Sequence, residues 1–62
     1  MKLSQFLKYQ GLVSTGGEAK VLINSRLISV NGSVVTEKGR KIYPGDVISF
    51  DNQEFIVSQS IF

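Results

Sequence analysis

The stretch from residue 14 to residue 32 constrains the fold most, because its hydrophobic pattern changes period part-way along. In the first half, apolar residues recur at the i, i+3, i+4 spacing that is typical of one helix face, and they are Ala19, Leu22 and Ile23. In the second half, apolar and polar residues alternate as in a strand with one buried face, and the apolar ones are Ile28 and Val30. The stretch therefore predicts an amphipathic helix followed directly by a strand.

Local signals bound both of these elements. Thr15 and Glu18 have the T-x-x-E spacing of a capping box, in which the Thr15 hydroxyl accepts from the Glu18 N–H and the Glu18 carboxylate accepts from the Thr15 N–H. Asn31-Gly32 favours a two-residue type I′ turn, because both central residues of that turn need positive φ. The sequence thus predicts a helix that begins after Thr15 and a hairpin over residues 27 to 36.

Shorter elements flank this stretch. Ser4 is a candidate N-cap for a first helix over residues 5 to 10, and Gly11 can supply the left-handed residue that ends it. The later elements are a type II turn at Tyr43-Pro44-Gly45-Asp46, a strand through Val47, Ile48 and Phe50, a turn at Asp51-Asn52, and a last strand beginning with Phe55, Ile56 and Val57. Ile61 and Phe62 either fray or close the core. The predicted fold class is α+β, with two short helices packed on a small, mostly antiparallel β-sheet.

Length and composition exclude several classes of protein. At 62 residues the chain is expected to be one domain, residues 1 to 62, with a modest core. It has no cysteine and no histidine, so it lacks disulfides, thiolate chemistry, the commonest general base and the commonest zinc ligand. Its five carboxylates form no convincing pair for acid–base catalysis. We therefore expect no enzyme activity, no cofactor and no bound metal.

The composition also indicates where in the cell the protein acts. The longest apolar runs are only a few residues, too short for a membrane span or a signal peptide. A small chain without disulfides suits a reducing cytoplasm better than secretion. We expect a cytoplasmic monomer that acts without a membrane or a small-molecule substrate.

The basic residues are unevenly distributed along the chain. The net charge of +2 is a mild excess, yet Glu37 is the only acid between Ala19 and Gly45. The candidate phosphate-contacting cations are Lys2, Lys8, Lys20, Arg26, Lys38, Arg40 and Lys41. If the two helices and the loop before the last hairpin share one side, these residues form a positive surface for phosphates. Charge alone is explained equally well by solubilising surface residues.

Three pieces of the sequence, taken in order, resemble one known family. They are Lys2-Leu3-Ser4-Gln5-Phe6-Leu7, then Glu18-Ala19-Lys20 with Leu22-Ile23 and Ile28-x-Val30-Asn31-Gly32, and finally Lys41-Ile42-Tyr43-Pro44-Gly45-Asp46-Val47. Over roughly residues 2 to 50 this order and spacing resembles the RNA-binding domain family named after small-subunit ribosomal protein S4. The resemblance implies the alpha-L RNA-binding motif, in which two helices and the following loop contact structured RNA, most simply ribosomal RNA or the ribosome.

The resemblance also implies roles for individual residues. The family's basic positions match Lys2, Lys20 and Lys41, with Arg40 beside the last. Thr15 and Gly17 lie at the start of the second helix, where free backbone N–H groups can receive a phosphate. A helix cap alone explains Thr15, and a permissive loop explains Gly17 about as well.

Two positions depart from the family pattern. Gly16 stands where many members carry arginine, so one expected phosphate contact is missing. Arg26 stands where many carry glycine, and if the backbone there has positive φ, arginine costs about 1 kcal/mol relative to glycine. Either Asn24 or Ser25 ends the helix differently, or Arg26 is retained for a charge that could replace the one absent at Gly16.

The sequence leaves open two functions other than RNA binding, and it also leaves open the role of Tyr43. A protein adaptor would use the free sheet edge or the apolar C-terminus, and its binding would not depend on the basic loop. A β-grasp carrier of the sulfur-transfer type has a similar Val-Asn-Gly turn but needs a C-terminal Gly-Gly, whereas this sequence ends Ser60-Ile61-Phe62. Tyr43 either stacks on an unpaired base or covers the sheet edge.

Overall fold

The computed structural model describes residues 1–37 and 39–61, and the side chains of 1–37 and 39–60. The elements are α1 (Leu3–Tyr9), α2 (Gly16–Asn24), β1 (Ser29–Val30), β2 (Ser33–Val34), β3 (Val47–Phe50), β4 (Gln53–Ile56) and a short 3₁₀ helix (Gln59–Ile61). The four strands form one antiparallel sheet in the order β2-β1-β3-β4. The α+β prediction is confirmed, whereas the expectations for Phe62 and for the side chain of Ile61 lie outside the described residues.

Helix α2 begins where its capping signal predicts. Thr15 is the N-cap, and its Oγ1 accepts a hydrogen bond from the Glu18 N–H at 3.1 Å. The return bond to the Glu18 carboxylate does not occur among the hydrogen bonds of the described side chains. Ala19 and Ile23 are fully buried and Leu22 is half-buried, so the predicted apolar face is confirmed.

Helix α1 begins two residues earlier than predicted, and its N-cap is Lys2 rather than Ser4. The Lys2 backbone is extended (φ −93°, ψ 151°), and its N–H donates to Oε1 of Gln5 at 3.0 Å. Lys2 is held extended because it pairs with Lys41 in an isolated antiparallel bridge. A contact with a distant part of the chain therefore overrides the preference of serine for the N-cap position.

The end of α1 is a Schellman motif. Gly11 has φ +78°, and its N–H donates to the carbonyl of Lys8 at 3.0 Å. The next N–H, that of Leu12, donates to the carbonyl of Leu7 at 3.0 Å. These two bonds satisfy carbonyls that the helix leaves without partners, so the prediction that Gly11 ends the helix is confirmed.

Two hairpins turn on pairs of residues with positive φ. Asn31 and Gly32 have φ of 52° and 86°, which confirms the predicted turn, although the ladder spans only residues 29–34 rather than 27–36. Asp51 and Asn52 have φ of 54° and 62° and make a second two-residue turn. That turn places residue 53 opposite residue 50, so the last strand begins at residue 53 and ends at residue 56, whereas it was expected to begin at residue 55.

The side chain of Asn31 joins the first hairpin to the type II turn. Its Oδ1 accepts from the Val47 N–H at 2.9 Å, and its Nδ2 donates to Oδ1 of Asp46 at 3.1 Å. The other oxygen of Asp46 accepts from the Tyr43 N–H at 2.9 Å. Gly45 has φ +94°, and the Asp46 N–H donates to the Tyr43 carbonyl at 3.0 Å, as the predicted type II turn requires.

One hydrophobic core unites the helices and the sheet. Its fully buried large side chains come from both helices, from β1 and β3, and from the segments that join them, and they are Leu3, Phe6, Leu7, Ile23, Ile28, Val30, Ile42, Ile48 and Val57. Phe50 and Phe55 are partly buried against this cluster, in line with their predicted core positions. Within the described residues, no helix is long and apolar enough to cross a membrane.

Candidate nucleic-acid interface

The start of α1 lies beside the chain segment that precedes the type II turn. The Leu3 N–H donates to the Arg40 carbonyl at 2.8 Å, and the Ile42 N–H donates to the Met1 carbonyl at 2.9 Å. These two backbone bonds tie residues 1–3 to residues 40–42, which are more than half of the chain length apart. The family resemblance implies that both segments carry RNA contacts, and here they are one structural unit.

Between these two bonds, Lys2 and Lys41 face each other. They are partners in an antiparallel bridge, and the two backbone hydrogen bonds lie on either side of them. In such a non-hydrogen-bonded pair the two side chains are close, with Cβ atoms about 4.5–5.5 Å apart. Both side chains are exposed. Like charges directly opposite each other repel, and an anion bound between them would relieve that repulsion.

In helix α2, the basic residue Lys20 lies near the N-terminus of the helix. Lys20 is exposed and lies one turn beyond Gly16 and Gly17, so its side chain leans back toward them. The N–H groups of these two glycines have no partner within the helix, whereas the Glu18 N–H is capped by Thr15. A Cβ at Gly16 would meet no atom within 4 Å, so this side of the helix start is open.

Arg26 has positive φ, which the sequence analysis left open. Its φ is +63°, and it follows Ser25, the C-cap of α2. The Arg26 N–H donates to the Ile23 carbonyl at 3.1 Å, and the Ser25 Oγ donates to the Val21 carbonyl at 2.7 Å. The side chain is exposed, so its charge is available to a ligand while its backbone costs about 1 kcal/mol relative to glycine.

A family model of the S4 domain matches residues 1–58. This chain belongs to the S4 domain family. It is 37% identical over 49 residues to a protein of Bacillus subtilis (strain 168) named as a probable ribosome maturation protein, RlbA, covering 79% of this chain and 69% of that one. It is 36% identical over 50 residues to YbcJ of Escherichia coli (strain K12), provisionally named an RNA-binding protein, with 81% and 71% covered.

A solved structure shows the same S4 fold. The crystal structure of the 30S ribosomal protein S4e from Thermoplasma acidophilum superposes with a TM-score of 0.72 and 25% sequence identity. The superposition covers 89% of this chain but only 29% of S4e, so the likeness concerns one part of that larger protein.

Backbone contacts bring one set of cations together in the described part of this S4 domain: Lys2, Arg40 and Lys41 belong to the two tied segments, and we call them the bridge group. Lys20 lies in α2 and Arg26 just beyond its end, and we call these two the helix group after the element that carries them. The backbone bonds and pairings of residues 1–37 and 39–61 join the bridge group internally but do not link it to the helix group. Of the other predicted contact residues, Lys8 lies in the last turn of α1, away from the Lys2 end of that helix. Lys38 is outside the described residues.

Thr15 and Gly17 border a different surface of the S4 domain as well. Beside them runs an open groove of about 660 Å³ whose walls include Val21, Leu27 and Phe50. Val21 and Leu27 are 67% and 56% exposed. The groove is apolar and therefore offers little to a phosphate, so only the Lys20 side of the α2 N-terminus has the chemistry expected of an RNA contact. Among the described residues, no three carboxylates gather closely enough to hold a metal ion.

Proposed function

We propose that this S4 domain binds structured RNA, ribosomal RNA in particular, through phosphate contacts made by its basic residues and without catalysis. It would act as one monomeric domain over residues 1–62, in the cytoplasm where ribosomal RNA is found. The observation that carries the proposal is the pairing of Lys2 with Lys41, which holds two exposed like charges opposite each other. Such a pair is unfavourable in the free protein and favourable with a phosphate between the two ammonium groups.

The names of the relatives support RNA as the class of ligand. One is named a ribosome maturation protein, another carries a provisional name as an RNA-binding protein, and the structural neighbour is a protein of the 30S ribosomal subunit. Phosphate contacts fix position without reading bases, so recognition would depend on the shape of the RNA.

The full contact surface would include both groups of cations. The helix group adds Lys20 at the open start of α2 and Arg26 just beyond its end. The remaining proposed contacts are those that the sequence suggested by charge or by position at the start of α2, namely Lys8, Thr15, Gly17 and Lys38. Of these, Thr15 also has a structural role as the cap of α2.

The test compares a double variant that loses both charges with one that keeps them. Lys2→Gln/Lys41→Gln removes both charges, whereas Lys2→Arg/Lys41→Arg keeps them. Binding to a folded ribosomal RNA fragment is measured by fluorescence anisotropy over a range of salt concentrations. Loss of two phosphate contacts should lower the slope of log K against log salt by about 1.5 and weaken binding about 30-fold at 0.1 M salt. The arginine variant should bind like the wild type.

Both variants should melt close to the wild-type temperature, because exposed charges contribute little to stability. If the glutamine variant binds RNA with unchanged affinity and salt slope, the proposal is wrong, and a protein adaptor becomes the better explanation of this fold.

A further inference from the structure

An exposed aromatic ring lies on the same face as the paired lysines. Ile42 is fully buried, and its two neighbours Lys41 and Tyr43 are exposed, Tyr43 to 59%. In extended chain, successive side chains point to opposite sides, so Lys41 and Tyr43 share the side that Ile42 does not. Lys2 stands directly opposite Lys41 and projects to that side too. The structure therefore brings two ammonium groups and one phenol ring together on one surface.

Both backbone polar groups of Tyr43, its N–H and its carbonyl, are hydrogen-bonded. The Tyr43 N–H donates to Oδ2 of Asp46 at 2.9 Å, and its carbonyl accepts from the Asp46 N–H at 3.0 Å. Asp46 is itself held by Nδ2 of Asn31 at 3.1 Å. Pro44 fixes φ at the next position of the turn. A ring mounted on a fixed turn loses little conformational freedom when a ligand covers it.

We propose that Tyr43 is a stacking platform for an unpaired nucleotide whose flanking phosphates bind Lys2 and Lys41. The inference rests on the proposed function and narrows its ligand to RNA with a bulged or looped-out nucleotide. Bases inside a duplex are stacked on each other and cannot cover the ring, whereas an unpaired base can. Cations beside an exposed aromatic ring are the combination by which proteins hold single nucleotides.

Tyr9 provides a matched comparison within the same chain. It is 63% exposed, much like Tyr43, and it also follows a lysine. It ends helix α1, however, where adjacent residues point in different directions, so Lys8 and Tyr9 do not share a face. Tyr9 should therefore contribute nothing to selection of an unpaired base.

The first experiment measures selectivity. Two RNA duplexes of equal length are compared, one with a single bulged nucleotide and one fully paired. Wild-type protein should bind the bulged duplex about 10-fold more tightly, because one base gains the ring as a stacking partner. Tyr43→Phe should keep this preference and Tyr43→Leu should lose it. Tyr9→Leu should behave like the wild type.

The second experiment reports on the ring itself. The chain has two tyrosines and no tryptophan, so Tyr9→Phe leaves Tyr43 as the only tyrosine emitter. Its fluorescence should be quenched at saturation with the bulged duplex and not with the paired one. Unquenched emission, or a Tyr43→Leu variant that still prefers the bulge, would overturn the stacking role. If neither duplex shows salt-dependent binding that needs Lys2 and Lys41, the proposed function itself fails.

Discussion

Arg26 combines an exposed positive charge with a left-handed backbone that favours glycine. Its φ is +63°, immediately after the C-cap of α2, at a position where the helix C-terminal motif usually has glycine. The side chain is exposed, so burial does not explain why arginine is kept there. We propose instead that its charge is used, in place of the arginine that the family pattern would put at Gly16.

At the residue scale we therefore predict that Arg26→Gly makes the protein more stable and weakens its binding to RNA. Relief of the left-handed strain, less the greater freedom of glycine in the unfolded chain, should add about 0.5–1 kcal/mol to the free energy of unfolding. For a domain of this size that raises the melting temperature by roughly 2–8 °C. One lost phosphate contact should weaken RNA binding about 6-fold at 0.1 M salt.

Arg26→Gln is the matched control, because it removes the charge and leaves the backbone strained. It should melt like the wild type and lose the same affinity as Arg26→Gly. A glycine variant that melts at or below the wild-type temperature would mean that the arginine side chain stabilises the fold in a way its exposure does not indicate.

At the scale of elements, the hairpin of β1 and β2 depends on its turn. Each strand has only two residues, so the ladder contributes little and the turn sets the register. Gly32 occupies φ +86° in open space, so a methyl group there would meet strain but no neighbouring atom. We predict that Gly32→Ala lowers the free energy of unfolding by about 1 kcal/mol or more.

Thermal unfolding followed by circular dichroism checks this prediction, with Gly16→Ala as the control. Gly16 is also surrounded by open space, but it lies in helix α2, where φ is negative. Its replacement should leave the melting temperature unchanged or raise it slightly. Equal melting temperatures for the two variants would mean that the left-handed residue does not limit the stability of this hairpin.

The elements also differ in how far the sequence predicts them. Helix α2 and the turn at Asn31-Gly32 are predicted well because their signals are local, a capping residue and a dipeptide that accepts positive φ. The start of α1 is missed because the bridge between Lys2 and Lys41 decides it, and no local pattern spans the 38 residues between them. The start of the last strand shifts because a two-residue turn places residue 53 in the ladder at once.

In the candidate site, too, the sequence predicts what depends on local signals and misses what depends on contacts between distant segments. The sequence and the family resemblance indicate which basic residues to consider, but not which of them the fold brings together. The pairing of Lys2 with Lys41, and the bonds from Asn31 to Asp46 and Val47, join segments that are far apart in the chain. For Tyr43 the sequence offers only the order Lys41-Ile42-Tyr43, in which one apolar residue of extended chain places its two neighbours on the same side.

At the scale of the whole molecule, the question is whether one RNA contacts both groups of cations. The domain measures only 26 × 22 × 18 Å, so a structured RNA is large enough to reach from the bridge group to the helix group. If it does so, removing either group should weaken binding, and the two effects should add in free energy because the groups make separate contacts. If RNA contacts only one group, removing the charges of the other group will leave RNA affinity unchanged.

We predict that both groups contribute to one surface. Lys20→Gln/Arg26→Gln should lower the salt slope by about 1.5, as the bridge-group variant Lys2→Gln/Lys41→Gln does, and the four combined should lower it by about 3. The loss should be similar for RNAs of the same shape and different sequence, since phosphate contacts carry no base information. Each variant is first shown to be folded by its melting curve. A helix-group variant with wild-type affinity and slope would confine the RNA contact to the bridge group, and would contradict the proposed use of the Arg26 charge.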